Sequence, residues 1–245
     1  MNLLVDIGNT RLKWALQQSD TLEFFGAANH HQDDFSATLI SAWQLLPIPD
    51  YIYIACVSST ELKQLLISII GQLWPNCSIQ EIHTEKYSHG ISNAYYNPEK
   101  LGVDRWLAML GAVAHYSVPV CIVDFGTAIT LDVIDKHGQH LGGMIMPGLT
   151  VLKQSLSNNT ADLNFCSEVH KQGLAKDTQA AIYNGCLYAV KGFIEAGLQT
   201  ISPPRLILTG GDAEFLATTL DLDAVVDTQL VFKGMALLSS EQSAP

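Results

Sequence analysis

The chain is short of cations, of paired cysteines and of long apolar runs, and each shortage removes a class of function. Its 245 residues carry 13 lysines and arginines against 24 aspartates and glutamates, a formal net charge of −11. Proteins that grip a phosphate backbone present a basic face, so no nucleic acid partner is expected, although a few placed cations could still hold a small anion. Five cysteines (Cys56, Cys77, Cys121, Cys166 and Cys186) are scattered, odd in number and without a Cys-x-x-Cys pair. They read as reduced, mostly buried thiols of a cytoplasmic protein. The apolar stretches are short and interrupted, so no membrane span is expected. Met1 leads almost directly into a strand, with neither the basic stretch nor the small-residue cleavage site of a leader. No Gly-x-x-x-x-Gly-Lys-[Ser/Thr] occurs, which excludes a Walker-type phosphate loop.

What is present is ordinary in composition and distinctive in pattern. A hydrophobic fraction of 48% supports a sizeable core, and the length suits one large domain or two lobes. Residues 3–16, "LLVDIGNTRLKWAL", predict a β-hairpin: Val5, Ile7, Leu12, Trp14 and Leu16 are its apolar positions, and Gly8-Asn9 tolerates a tight turn. A strand is expected over 52–58 and a helix over 61–74. The polar stretch "SHGISNAYYNPEKLGVDRW" reads as a loop running into a helix over 105–116. Residues 118–135 predict two strands joined at "GTA", followed by a Gly/Pro loop over 142–149 and helical patterns over 150–156 and 178–200. Residues 205–220 read as strand, glycine turn and helix, and the C-terminal "LVFKGMALLSS" as a last helix.

The opening hairpin recurs. "LLVDIGNTRL" and "CIVDFGTAIT" each run an apolar strand into Asp-x-Gly and a small-residue turn, and their aspartates, Asp6 and Asp124, lie 118 positions apart. A repeat near half the chain length predicts duplicated lobes, 1–117 and 118–245, facing each other across a cleft. A turn of Gly, Asn and Thr exposes backbone N–H groups and hydroxyls and suits anionic oxygens. A carboxylate beside it would repel phosphate unless a cation stood between, as Mg²⁺ does where carboxylates meet nucleotides. One such turn is adequately explained by an Asx-type hydrogen bond; two in matched settings favour a phosphate clamp.

These hairpins and the later strand-Thr-Gly-Gly-helix segment resemble the phosphate and adenosine motifs of the actin/Hsp70/sugar-kinase superfamily. The series "DIGNTRLKWA", "GVDRW", "VDFGTAITLD", "GGMIMPGL" and "TGGDAEFL", in that order, is similar to type III pantothenate kinase over essentially the whole chain. The resemblance implies an α/β fold of two ribonuclease-H-like lobes, each a mixed sheet flanked by helices, with the site in the cleft. It implies that Asp6, Gly8, Asn9, Thr10, Arg11 and Lys13 contact ATP, with Asp6 directed at the magnesium–phosphate group. It places Thr127 on nucleotide phosphate, Asp124 on a monovalent cation (K⁺ or NH₄⁺), and Thr209, Gly210 and Gly211 at the adenosine. The last three would serve equally as a plain strand-to-helix turn.

Phosphoryl transfer needs a hydroxyl held in line with the γ-phosphate and a group to take its proton. On chemistry alone "GVDRW" suits this: Gly102 permits close approach, Asp104 stands where a loop enters a helix, and Arg105 is a fork able to hold a carboxylate. A helix-capping Asp beside a surface-paired Arg is the plainer account. The resemblance assigns Asp104 as catalytic base and Gly102, Val103, Arg105, Tyr95 and Thr178 as contacts to pantothenate, with Tyr96 competing for the place of Tyr95. It also implies a homodimer. The pairs His30/His31, His83/His89 and His137/His140 lack further ligands at zinc-like spacing and read as surface histidines. The expected function is ATP-dependent phosphorylation of pantothenate at its 4′-hydroxyl, the entry to coenzyme A synthesis. The alternatives are a kinase of another small hydroxy acid and a non-catalytic nucleotide-binding regulatory protein.

Overall fold

The computed structural model describes residues 1–19, 21–159, 168–200 and 205–242; Cys166 lies outside them. The chain divides into two units, Met1–His115 with Gln229–Pro245, and Tyr116–Thr228.

The first unit is built on β1 (Asn2–Ile7), β2 (Arg11–Gln18), β3 (Thr21–Asn29), β4 (Tyr51–Cys56) and β5 (Ser78–Glu81), with helices α1 (Phe35–Trp43) and α2 (Thr60–Leu73). The sheet order is β3-β2-β1-β4-β5, with β2 and β3 antiparallel and β4 and β5 parallel to their neighbours. β1 is buried at all six positions because it is central and covered on both faces. Leu3, Val5 and Ile7 face a core that includes Trp14, Leu39, Trp43, Leu66 and Ile70, where Trp43 stacks on Trp74 and takes Trp14 edge-on. Strand alternation puts Asn2, Leu4 and Asp6 on the opposite face. A two-stranded ribbon, β6 (Tyr87–Ser88) and β7 (Ile91–Ser92), then leads to helix α3 (Val103–His115).

The second unit contains β8 (Val120–Phe125), β9 (Ala128–Ile134), β10 (His140–Pro147), α4 (Leu149–Asn159), α5 (Thr178–Leu198), β11 (Arg205–Thr209), α6 (Ala213–Leu220) and β12 (Val225–Val226). Its order, β10-β9-β8-β11-β12, has the antiparallel and parallel pairings of the first sheet. The duplication expected from the two Asp-x-Gly hairpins is therefore a duplication of whole sheets, each mixed and flanked by helices. Val123, Leu131, Val190, Ile194, Leu208 and Leu216 belong to this unit's core.

Four expectations change. Residues 142–149 are not a Gly/Pro loop: most of them form the edge strand β10, where Met144 pairs with Leu131 and a bulge falls between His140 and Gly142. Pro147 is tolerated at the strand's last position, on an edge. Helix α3 starts at Val103 rather than 105, so Asp104 lies inside its first turn. The boundary falls between His115 and Tyr116, and the last helix, α7 (Leu230–Gln242), belongs to the first unit instead of the second. Gly111 on α3 and Gly234 on α7 let these two helices cross almost backbone to backbone: a β-carbon on Gly111 would lie 3.1 Å from Gly234 N, and one on Gly234 2.7 Å from Leu107 C. Finally, His140 is not a surface histidine. It is 1% exposed, and its Nε2 lies 2.9 Å from Asp132 Oδ1.

Helix α7 covers the Asn2/Leu4/Asp6 face of the first sheet. Tyr53, the register partner of Leu4, donates its hydroxyl to Ser239 O at 3.4 Å. Gln17, the partner of Asn2, donates to Ala236 O at 3.2 Å. Asp6 thus lies on the face of the sheet that meets the α3–α7 pair.

Candidate active site

The first hairpin brings Asp6, Gly8, Asn9, Thr10, Arg11 and Lys13 to the carboxyl end of β1. Asp6 is 8% exposed, with Lys13 as its antiparallel register partner and Ala55 as its parallel one. Register partners share a sheet face, so the Lys13 side chain stands beside the Asp6 carboxylate. The turn is closed by Gly8 N–H donating to Arg11 O at 3.0 Å, and Asn9 is exposed at its tip.

The acceptor motif reaches the same end of the sheet through Val57, which the sequence reading did not single out. Val57 N–H donates to Ile7 O at 3.0 Å, continuing the pairing just past β4. Its Cγ1 lies 3.8 Å from the point where a β-carbon on Gly102 would stand, and Asp104 Oδ1 lies 2.5 Å from that point. Asp104 Oδ1 also accepts from Arg105 N–H at 2.8 Å. Gly102 and Asp104 are therefore one residue removed from the base of the first hairpin. The adjoining Cys56 offers no competing nucleophile: burial raises its thiol pKa, so it stays protonated near neutral pH.

Arg105 is 6% exposed. Its guanidinium donates to Tyr95 Oη at 2.8 Å and lies 5.6 Å from the centre of that ring, while Tyr96 is fully exposed. The structure brings Tyr95, not Tyr96, to the Arg105 fork. Asn93, also missed, holds Tyr95 in place. It is fully buried, its Oδ1 accepts from Tyr95 N–H at 2.9 Å, and its Nδ2 donates to Glu85 O and Pro98 O. A single Asn in a polar stretch carries no signal in sequence, because its role depends on which carbonyls the loop folds around it. Val103 is buried at the start of α3.

In the second unit, Asp124 pairs in register with Thr130 and Thr209. Gly210 has φ +93° and passes so close to the hairpin that a β-carbon would stand 2.6 Å from both Phe125 N and Phe125 O and against Asp124 Oδ1. Only glycine fits this position. The second hairpin and the Thr209-Gly210-Gly211 turn thus form one structure, with Gly211 exposed on its outer side. Gly148 braces the hairpin tip, its N–H donating to Thr127 O at 2.9 Å. Thr178 is exposed at the start of α5, after the capping Asp177, and lines a groove of about 730 Å³ between α4 and α5. Among the described residues, no helix is long and apolar enough to cross a membrane.

Comparison with known proteins places the chain in a family. The family model for type III pantothenate kinase matches residues 2–199. A type III pantothenate kinase of Laribacter hongkongensis is 37% identical over 247 residues, covering 98% of each chain. One from Burkholderia vietnamiensis is 33% identical over 259 residues, covering 99% of this chain and 98% of its own. Among solved structures, a Baf family transcriptional activator from Campylobacter jejuni superposes with a TM-score of 0.63 at 24% identity, covering 98% of both chains. A 2-dehydro-3-deoxygalactonokinase protein from Sinorhizobium meliloti gives 0.59 at 13% identity over the whole of both. The structural likenesses speak to the fold alone, and the sequence likenesses decide the family: this chain belongs to the type III pantothenate kinases.

Proposed function

We propose that the protein phosphorylates pantothenate at its 4′-hydroxyl with ATP, the first step of coenzyme A synthesis, and does so in the cytoplasm as a homodimer. The observation that carries this reading is the convergence of Asp104 and the Tyr95–Arg105 pair on the end of the first sheet that bears the Asp6 hairpin. A phosphate-binding turn and a carboxylate poised over a glycine, with a buried guanidinium following it, are the parts that an alcohol kinase acting on an acid requires.

In this reading the backbone amides of Asn9 and Thr10, with Arg11 and Lys13, hold the triphosphate, and Thr127 contributes a hydroxyl from the second hairpin. Arg105, oriented by Tyr95, pairs with the substrate carboxylate as a bidentate fork. Gly102 and Val103 shape the floor beneath the alcohol, and Thr178 adds a polar contact. Asp104 accepts a hydrogen bond from the 4′-hydroxyl and takes its proton as the oxygen–γ-phosphorus bond forms and the bond from γ-phosphorus to the β,γ-bridging oxygen breaks. Gly211, where an added β-carbon would meet nothing within 4 Å, leaves room for the nucleoside.

The donor atoms present suit the cations that such chemistry calls for. Asp6 is a hard oxygen donor of the kind Mg²⁺ takes, directly or through water. Asp124 Oδ1 and the Phe125 carbonyl lie close together beside Gly210, two oxygens of the kind K⁺ or NH₄⁺ would take. When bound, these cations would neutralise phosphate charge during transfer.

The test is an assay of ADP and phosphopantothenate formation with ATP, Mg²⁺ and pantothenate, in KCl or in NaCl. Turnover that requires pantothenate, is greater in KCl and falls by about 10²-fold or more in Asp104→Asn is the expected result. ATP binding without pantothenate-dependent turnover would overturn it.

A further inference from the structure

The histidine pair at residues 30–31 meets the tip of the first hairpin. β3 runs antiparallel to β2 with Asn29 opposite Arg11, so the residues that follow arrive beside the turn. There His30 Nε2 lies 3.0 Å from Gly8 O, and His31 Nε2 lies 3.1 Å from Asn9 O. A carbonyl oxygen can only accept, so in each ring it is Nε2 that carries the hydrogen. The backbone N–H of His30 donates to the next carbonyl, Thr10 O, at 3.3 Å. Three successive carbonyls of the turn are therefore drawn to the histidine side.

This has a geometric consequence for the amides. In a trans peptide the N–H points opposite to the C=O of the same plane. Fixing the carbonyls of Gly8 and Asn9 toward the imidazoles turns the N–H groups of Asn9 and Thr10 away from them, side by side. Successive amides held in this way form an anion-binding concavity. The rings are themselves held. His30 packs edge-on against Phe35, with centroids 6.2 Å apart, and lies tilted against His31, with centroids 4.5 Å apart. Phe35 is buried at the start of α1, and His31 N–H donates to Asn29 Oδ1 at 3.0 Å.

We propose that His30 and His31 are positioning residues for nucleotide phosphate: their Nε2–H groups lock the Gly8 and Asn9 carbonyls so that the Asn9 and Thr10 amides face the phosphates of ATP. This rests on the kinase reading above. The imidazoles act through the backbone, by donation rather than by charge.

The experiment measures binding of Mg–ATP and of AMP by titration calorimetry, together with steady-state kinetics, for wild type, His30→Ala, His31→Ala, His30→Gln and His31→Gln. The glutamine amide nitrogen has nearly the reach of Nε2 and can donate to the same carbonyl. Each alanine variant is expected to bind Mg–ATP about three- to tenfold more weakly, with AMP binding and the KM for pantothenate unchanged and with glutamine restoring most of the loss. Alanine variants that bind Mg–ATP like wild type, or that glutamine fails to rescue, would overturn the inference even if their thermal stability fell. Because binding is read directly, wild type that binds Mg–ATP without turning over pantothenate defeats the kinase reading and leaves the positioning role measurable. Wild type that binds no ATP defeats both.

Discussion

The crossing of α3 and α7 allows a substitution whose sign is set by geometry. Gly111→Ala adds one methyl group to the interior of a helix, and on propensity alone that stabilises by about 1 kcal/mol. At this position the new carbon would stand 3.1 Å from Gly234 N and 3.2 Å from Leu230 C, with Leu230 O closer still. Carbon contacts prefer about 3.5–4.0 Å. The crowding atoms are backbone, which cannot rotate aside as a side chain can, so the helices must separate. Overpacking of this kind costs about 1–3 kcal/mol, and here the upper end applies, leaving a net loss of about 2 kcal/mol. For a chain of this size the melting temperature should fall by about 4–8 °C.

Gly71→Ala is the matched control. Gly71 lies in α2 of the same unit, is exposed, and an added β-carbon would meet nothing within 4 Å. It should gain about 1 kcal/mol, or about 2–4 °C. Thermal unfolding followed by circular dichroism compares the two. Because Asp104 and Arg105 stand in the first turn of α3, Gly111→Ala should also lower kcat while Gly71→Ala leaves it unchanged. Equal stabilisation by both substitutions would refute the packing of α7 on α3, and with it the assignment of the last helix to the first unit.

Other consequences can be checked separately. Asn93→Ala should lower kcat/KM for pantothenate by about ten- to a hundredfold by releasing Tyr95 and hence Arg105, with the KM for ATP nearly unchanged in the same assay. Asp132→Ala should cost about 1–3 kcal/mol in urea unfolding by stranding the buried His140, and Asp132→Asn should recover part of it. Burial, and then the Asp227 carboxylate that accepts its hydroxyl at 2.7 Å, push the Tyr116 phenol up to about 12. The folded state therefore keeps that proton where the unfolded chain, with a phenol near 10, begins to release it. This contribution is whole below about pH 10 and is lost between about pH 10 and 12. Tyr116→Phe should flatten that part of the stability profile, and an unchanged slope would sink the assignment.

How far the fold could be read depended on where its information lies. The hairpins at Asp6 and Asp124 were legible because strand alternation and turn chemistry are both local. Strand β3 and helix α1 were not foreseen: β3 is an edge strand, mostly exposed, with little alternation to betray it. β10 was hidden by its glycines and terminal proline, which an edge strand tolerates and a central one does not. His140 looked like its exposed neighbour His137, because the Asp132 that buries it comes from an adjacent strand. The acceptor residues fared better as a set than in detail. "GVDRW" marked Asp104 and Arg105, yet Val57 reaches Gly102 from a distant strand, and Asn93 acts through the way one loop wraps around its side chain; neither leaves a pattern in the sequence.

The two registers correspond strand for strand, and the exits of their parallel strands differ. Asp6 stands opposite Ala55 on the parallel strand, and Asp124 stands opposite Thr209. Cys56 and Val57 in the first unit therefore occupy the places of Gly210 and Gly211 in the second. The first hairpin spends four residues between Ile7 and Leu12, and the second three between Phe125 and Ile129. In the second unit the parallel strand exits through glycines, and Gly210 lies directly against Asp124, where a side chain would displace it. In the first unit the same exit keeps its side chains, and Val57 instead becomes the surface on which Gly102 and Asp104 rest. The second exit is thus open beside Gly211, whereas the first carries the Val57 side chain under Gly102. On the proposed function, the open exit beside Gly211 would serve the nucleotide base and the Val57 exit the alcohol. Val57→Gly should accordingly damage pantothenate turnover and leave ATP affinity intact, and equal loss of both would show that the two exits are not so divided.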